Sequence, residues 1–244
     1  MKSSLTINLS QQTVEILNKG NYTLCCFLAS KSNNALCYPL CWNTTSKNFL
    51  RSVLVEWKFD LSAYLSTSPI VDRGVVYIPQ PQSSMSQNST RYTVTKNISG
   101  SNDKIDLKQR MLIEDLGKVT IDTNNDSQNV LIQNNSHDAY STGICVYSIN
   151  DDQYYGSCAF SLYGGNGISV APVNKILVMF STKDIQNNTV ILITENIGFL
   201  IDFNGSTNNS RVVSYDINKG WNSNSQTWAT NIPIGTSLSD ILVI

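Results

Sequence analysis

Residues 54–61 read LVEWKFDL. Side chains alternate faces along an extended chain, so Val55, Trp57, Phe59 and Leu61 point one way and Glu56, Lys58 and Asp60 the other. The stretch therefore reads as a strand with one oily face and one charged face. The same rhythm, or a short β-branched run, recurs along the chain: LTINL (5–9), TVEIL (13–17), YTLCCFLA (22–29), GICVYSI (143–149), SCAFSLY (157–163), KILVMFS (175–181), GFLIDF (198–203) and RVVSYDI (211–217). Between them lie NKGN (18–21), KSNN (31–34), NDDQYYG (150–156), YGGNG (163–167) and NGSTNNS (204–210), whose Asn, Asp and Gly tolerate left-handed backbone and bond back onto it. Short strands punctuated in this way predict an all-β protein, a single-domain antiparallel β-sandwich over 1–244.

One segment departs from the pattern. NDKIDLKQRMLIEDLGK (102–118) offers Asp103 as a helix N-cap, Leu107, Met111, Leu112 and Leu116 as an apolar stripe, and Gly117 as a stop; it predicts a short helix near 103–116. Upstream, PQPQSSMSQNST (79–90) reads as an irregular connection, because Pro79 and Pro81 cannot sit in a central strand.

The 244 residues carry 17 Lys+Arg against 18 Asp+Glu, a net charge of −1. That balance leaves no electrostatic footprint for a nucleic-acid backbone. No apolar run is long enough to span a bilayer, and MKSSLTINLS lacks the apolar core of a signal peptide. The sequence thus predicts a soluble protein without a transmembrane segment, cytoplasmic or exported without a leader. On that reading the Asn-x-Ser/Thr triplets are accidents of an Asn-rich composition. Charged residues are only 14% of the chain, so self-repulsion is weak and close contact between copies is easy.

The order Trp57, Asp60, Ser62 within VLVEWKFDLSAYLS (53–66) resembles a strand of the RhiA-like proteins. GVVYIPQPQ (74–82), YSTGICVYS (140–148), the run from Ser169 to Phe203 and VVSYDINKGW (212–221) keep step with that family in order and apolar rhythm. The family takes its name from a protein of rhizobia growing around plant roots. The resemblance implies an accessory role with no assigned molecular activity. The segment around 97–118 and the cysteines depart from the pattern.

Chemistry is harder to find. His137, in NNSHDAY (134–140), is the single histidine, and Asp138 beside it is poorly placed to orient its ring, so no Ser-His-Asp set can be assembled. Glu56 and Asp60, four apart on a strand, are roughly 13 Å apart, too far for a glycosidase pair; cross-strand ion pairs account for them better. DTNNDSQNVLIQ (122–133) begins like a calcium loop with Asp122, Asn124 and Asp126, but Ser127 and Gln133 stand where Gly and Glu are required. Cys37-x-x-x-Cys41 is half of a zinc site without its other half. The cysteines are expected to be reduced and half-buried, with Cys145 and Cys158 the disulfide candidate in an oxidising compartment. No catalytic residue, metal ligand or cofactor is assigned.

Four aromatics beside turns, Tyr154, Tyr155, Trp221 and Trp228, are the binding candidates, because a flat amphipathic ring next to amides suits a glycan or a protein surface. NSTRYTVTKNIS (88–99) alternates as one membrane-inserting strand would, yet a hairpin needs two. The leading expectation is a non-enzymatic binding or self-assembling β-sandwich; a lectin-like module and a β-rich pore-forming effector are the alternatives.

Overall fold

The computed structural model describes residues 2–34, 36–81, 100–123, 127–206 and 208–244, with strands numbered in chain order. The opening stretch lies in β5 (Ser52–Ser66), whose Val53, Val55 and Trp57 are buried while Leu54 and Lys58 are exposed. β5 is an inner strand, between β1 (Lys2–Leu9) and β10 (Tyr140–Ser148). Its register against β10 slips: Val146 faces Leu61, but Tyr147 faces Lys58. Phe59 and Asp60 are the two residues passed over. An even insertion preserves side-chain parity, so Leu61, Ala63 and Leu65 continue on the same inner face as Trp57.

Charge on the other face is used for ion pairs. Lys2 Nζ meets Glu56 at 2.7 Å from the neighbouring strand, and Asp60 takes Lys58 at 3.3 Å and Lys104 at 3.9 Å. Beyond the bulge the strand is buried on both faces, because residues 70–78 fold over its outer side and bring Val76 and Ile78 onto Tyr64 and Cys145.

Two curled sheets pack together. The first runs β16 (Gly220–Asn222), β15 (Ser210–Asp216), β1, β5, β10, β12 (Cys158–Leu162), β3 (Tyr38–Pro39), with β11 (Gln153–Gly156) on β10 and β6 (Gly100–Ile105) on β5. The second runs β17 (Ala229–Ile232), β14 (Gly198–Asp202), β13 (Gly167–Ser181), β9 (Val130–Asn134), β7 (Arg110–Ile113), β8 (Val119–Asp122), with β2 (Thr23–Ser32) on β13 and β4 (Asn43–Ser46) on β2. Most pairs are antiparallel as expected. Among the described strands two pairs are parallel, β1 with β15 and β7 with β9.

Trp42, Trp57 and Phe203 meet edge to face in the core, with centroids 6.1 and 5.0 Å apart. The Trp42 indole donates to the Val146 carbonyl at 2.9 Å, which satisfies a polar group that burial would otherwise penalise.

The structure corrects two local expectations. TVEIL is not a strand: Gln11–Lys19 form helix α1. Ser10 caps it by accepting from the Thr13 N–H at 3.2 Å, and Val14 and Leu17 face the core one turn apart. Conversely, 103–116 is not a helix. It forms β6, β7 and a 3₁₀ turn at Asp115–Gly117. Asp103 sits mid-strand opposite Ala63, and the proposed apolar stripe splits, with Leu107 and Leu116 exposed while Met111 and Ile113 go inward at period two. A short helix α2 (Leu238–Leu242) covers Cys25, Phe27 and Met179 on the outer face of the second sheet.

Candidate functional site

Both sheets end at the same side of the sandwich, in β16 and in β17. β16 exists because Gly220 turns at φ +79°, reversing the chain out of β15, while the Asp216 carboxylate accepts the N–H groups of Asn218 and Lys219 at 3.0 and 3.2 Å. Those donors hold the Asp216 carboxyl below the usual carboxylate range. Trp221 then points between the sheets. Its ring stacks on Phe180 and Phe199, centroids 5.5 and 5.7 Å away, and packs against Tyr215 at 4.7 Å. The indole N–H donates to the Ile197 carbonyl at 3.1 Å. Trp221 is thus the stopper at the end of the core.

Outside the stopper lies an apolar hollow of about 510 Å³, walled by Trp221, Ile197, Pro233 and Ile234, with Asn231 and Lys219 at its edge. Ile197 and Ile234 are 50% and 62% exposed. Apolar side chains left in water at an open sheet end are unfavourable. Lys219 also lines an adjoining hollow together with Asp216, at the β15–β16 turn, so both signs of charge lie near this end.

The four aromatic candidates do not converge. Trp221 and Tyr154 are buried and offer no open ring face; the meeting of the sheets buries the first, and the 70–78 cover buries the second. Lys104 lies over the Tyr154 ring at 5.3 Å. Burial, together with the Asp60 carboxylate it faces, pushes the Tyr154 hydroxyl well up. Tyr155, on the opposite face of β11, is half-buried against the main core. Trp228 is half-buried with the Arg211 guanidinium 4.6 Å over its ring. Sequence reasoning missed Ile197, Pro233 and Ile234, which carry no chemical signal until β14 and β17 bring them beside Trp221.

The disulfide candidate is also corrected. All six cysteines are free and buried. Cys158 lies beside Ile144, since the Ser157 N–H donates to the Ile144 carbonyl at 3.0 Å, and both residues face the main core. Cys145, one residue on, necessarily faces the outer cluster. The thiols that do meet are Cys37 with Cys158 and Cys25 with Cys41. The Cys37 hydrogen bond to Cys158, with burial, pushes the Cys37 thiol far up. Cys37 and Cys41 enter different clusters and do not share a ligand position. We expect a thiol reagent to find none of the cysteines within minutes in native protein and all six after unfolding in guanidinium. Four reactive thiols in the unfolded, unreduced chain would mean that one pair is oxidised.

Of the remaining sequence motifs, Asp122 is engaged by Arg110 at 2.7 Å rather than open to a cation, and Asn124, Asp126 and the 88–99 segment lie outside the described residues. No group of three or more His, Cys, Asp or Glu side chains among the described residues could hold a metal ion. No helix among them is long and apolar enough to cross a membrane. The fold and this surface define a class, an all-β sandwich with an apolar open end. Comparison with protein-family models, curated proteins and solved structures finds no match to the chain.

Proposed function

We propose that this protein is a non-enzymatic β-sandwich that works by contact, assembling with a second copy of itself through the β16–β17 end. The observation that carries the reading is the apolar hollow beside Trp221, with two half-exposed isoleucines at its wall. A second copy is favoured over a charged partner for two reasons. The net charge is −1, so two copies repel little. Lys219, at the edge of the apolar hollow, and Asp216 lie at the β15–β16 turn, so this end offers one charge of each sign for a two-fold contact to pair. The RhiA-like resemblance, with its implied accessory role, is compatible with a protein that acts without turnover.

Sedimentation velocity tests this directly. The wild-type sedimentation coefficient should rise with concentration into the micromolar range, and Ile234→Asp should need at least about tenfold higher concentration for the same rise, since a desolvated unpaired charge opposes association by a factor of ten or more, about 1.4 kcal/mol or above. Ile234 is largely exposed, so the variant should keep the wild-type unfolding midpoint at concentrations where the wild type is monomeric. A wild-type protein that stays monomeric throughout refutes the proposal.

A further inference from the structure

Two connections cross between the sheets at one place: residues 135–139, leading from β9 to β10, and residues 163–166, leading from β12 to β13. The sequence presents them as unrelated turns, NNSHDAY and YGGNG. In the fold they are one locked unit. Asn134 is fully buried, its amide donating to the Asp138 and Leu162 carbonyls at 2.8 and 3.1 Å, while its side-chain oxygen accepts from the Ser136 N–H at 3.0 Å and the Ser136 hydroxyl at 2.7 Å. The Gly165 N–H donates to the Asn134 carbonyl at 2.8 Å, and the Asn134 N–H to the Asn166 carbonyl at 2.9 Å. Gly164 is required, because a Cβ there would overlap the Ser136 carbonyl oxygen.

This unit supports a hollow of about 440 Å³, within the range of small-molecule sites. Tyr163, 63% exposed, lines it with the exposed side chains of His137 and Asn135. None of these three side chains is engaged by a described residue. An amphipathic ring held in water on a rigid base, beside an amide and an imidazole with free hydrogen-bonding capacity, is a recognition surface whose backbone is already ordered, so that binding has only side chains left to fix.

We propose that this hollow binds a neutral carbohydrate, the Tyr163 ring lying against the C–H face of one sugar ring and Asn135 and His137 bonding its hydroxyls. Anions are disfavoured because no Lys or Arg among the described residues lines the hollow and the Asp138 carboxylate stands next to His137 in the chain. Purely aliphatic ligands would strand the amide and imidazole without partners. This site is separate from the self-contact end, and neither reading depends on the other.

His137 is the only histidine, so its two imidazole C–H resonances report the hollow by proton NMR without assignment of the rest. Titration with the methyl glycosides of glucose, galactose, mannose and N-acetylglucosamine should shift those resonances saturably with at least one of them, at a Kd on the order of millimolar, as suits about a dozen non-hydrogen atoms. Tyr163→Ala should weaken binding roughly tenfold, and Tyr163→Phe should retain it, both with otherwise unchanged spectra. Imidazole resonances that stay flat with all four glycosides overturn the proposal. So does undiminished affinity in Tyr163→Ala, or saturation by inorganic phosphate at lower concentration than by any glycoside.

Discussion

Replacing Trp221 by alanine is expected to destabilise the fold by about 3–5 kcal/mol, the range for emptying a large buried aromatic site. The ring touches Phe180, Phe199 and Tyr215 at once, so its loss leaves a void at the mouth of the core that three rigid rings cannot collapse to fill. For a chain of this length the melting temperature should fall by about 6–20 °C. Trp221→Phe separates packing from hydrogen bonding: it keeps most of the stack and strands the Ile197 carbonyl, at a cost of about 1–2 kcal/mol. Guanidinium unfolding of the three proteins measures both. If alanine costs no more than phenylalanine, Trp221 does not close the core.

A comparable loss is expected at a residue with no side chain. Gly143 in β10 lies against β12, where an added Cβ would overlap the Cys158 carbonyl oxygen. That oxygen also accepts the Tyr64 hydroxyl at 2.9 Å, and Tyr64 is the β5 partner of Gly143. Valine there must push β12 outward, which breaks that bond beneath the 70–78 cover and opens the core contacts of Phe160. We expect a cost of about 3 kcal/mol or more, above the usual ~1–3 for overpacking, because the obstacle is backbone and cannot rotate away. Alanine should destabilise less than valine but measurably. The check is equilibrium unfolding of the valine and alanine variants beside the wild type. A neutral valine variant would show that the two strands do not approach as described.

What could be read in advance follows from how far the cause of each feature reaches along the chain. β5 and β10 were legible because the two-residue rhythm is a property of neighbours, and it survives even the bulge at Phe59 and Asp60. α1 was not, because Val14 and Ile16 imitate a strand; the local signal lay in Ser10 and in the three-residue spacing of Val14 and Leu17. The expected helix at 103–116 failed for the opposite reason: Leu107 and Leu116 completed a helical stripe in sequence but are turn residues in space. Parity across strands is invisible in a single chain, so Cys145 and Cys158 read as neighbours when the pleat puts them on opposite faces. The aromatics show the same limit. Tyr154 and Trp221 sit among turn-forming residues, and only segments distant in sequence decide that they are covered while Tyr163 is left open.

The parallel pairing of β1 with β15 sets the order in which the molecule can mature. Ser4 is matched to Ser210, so one side of β1 can dock on β5 early in synthesis while its other side waits for most of the remaining chain to leave the ribosome. At bacterial-to-eukaryotic elongation speeds of about 5–20 residues per second, that wait is roughly ten to thirty seconds. Throughout it a row of N–H and C=O groups is open to any other nascent chain on the same polysome. Chaperone engagement before β15 appears, rather than the stability of the finished sandwich, would then govern the yield of native protein.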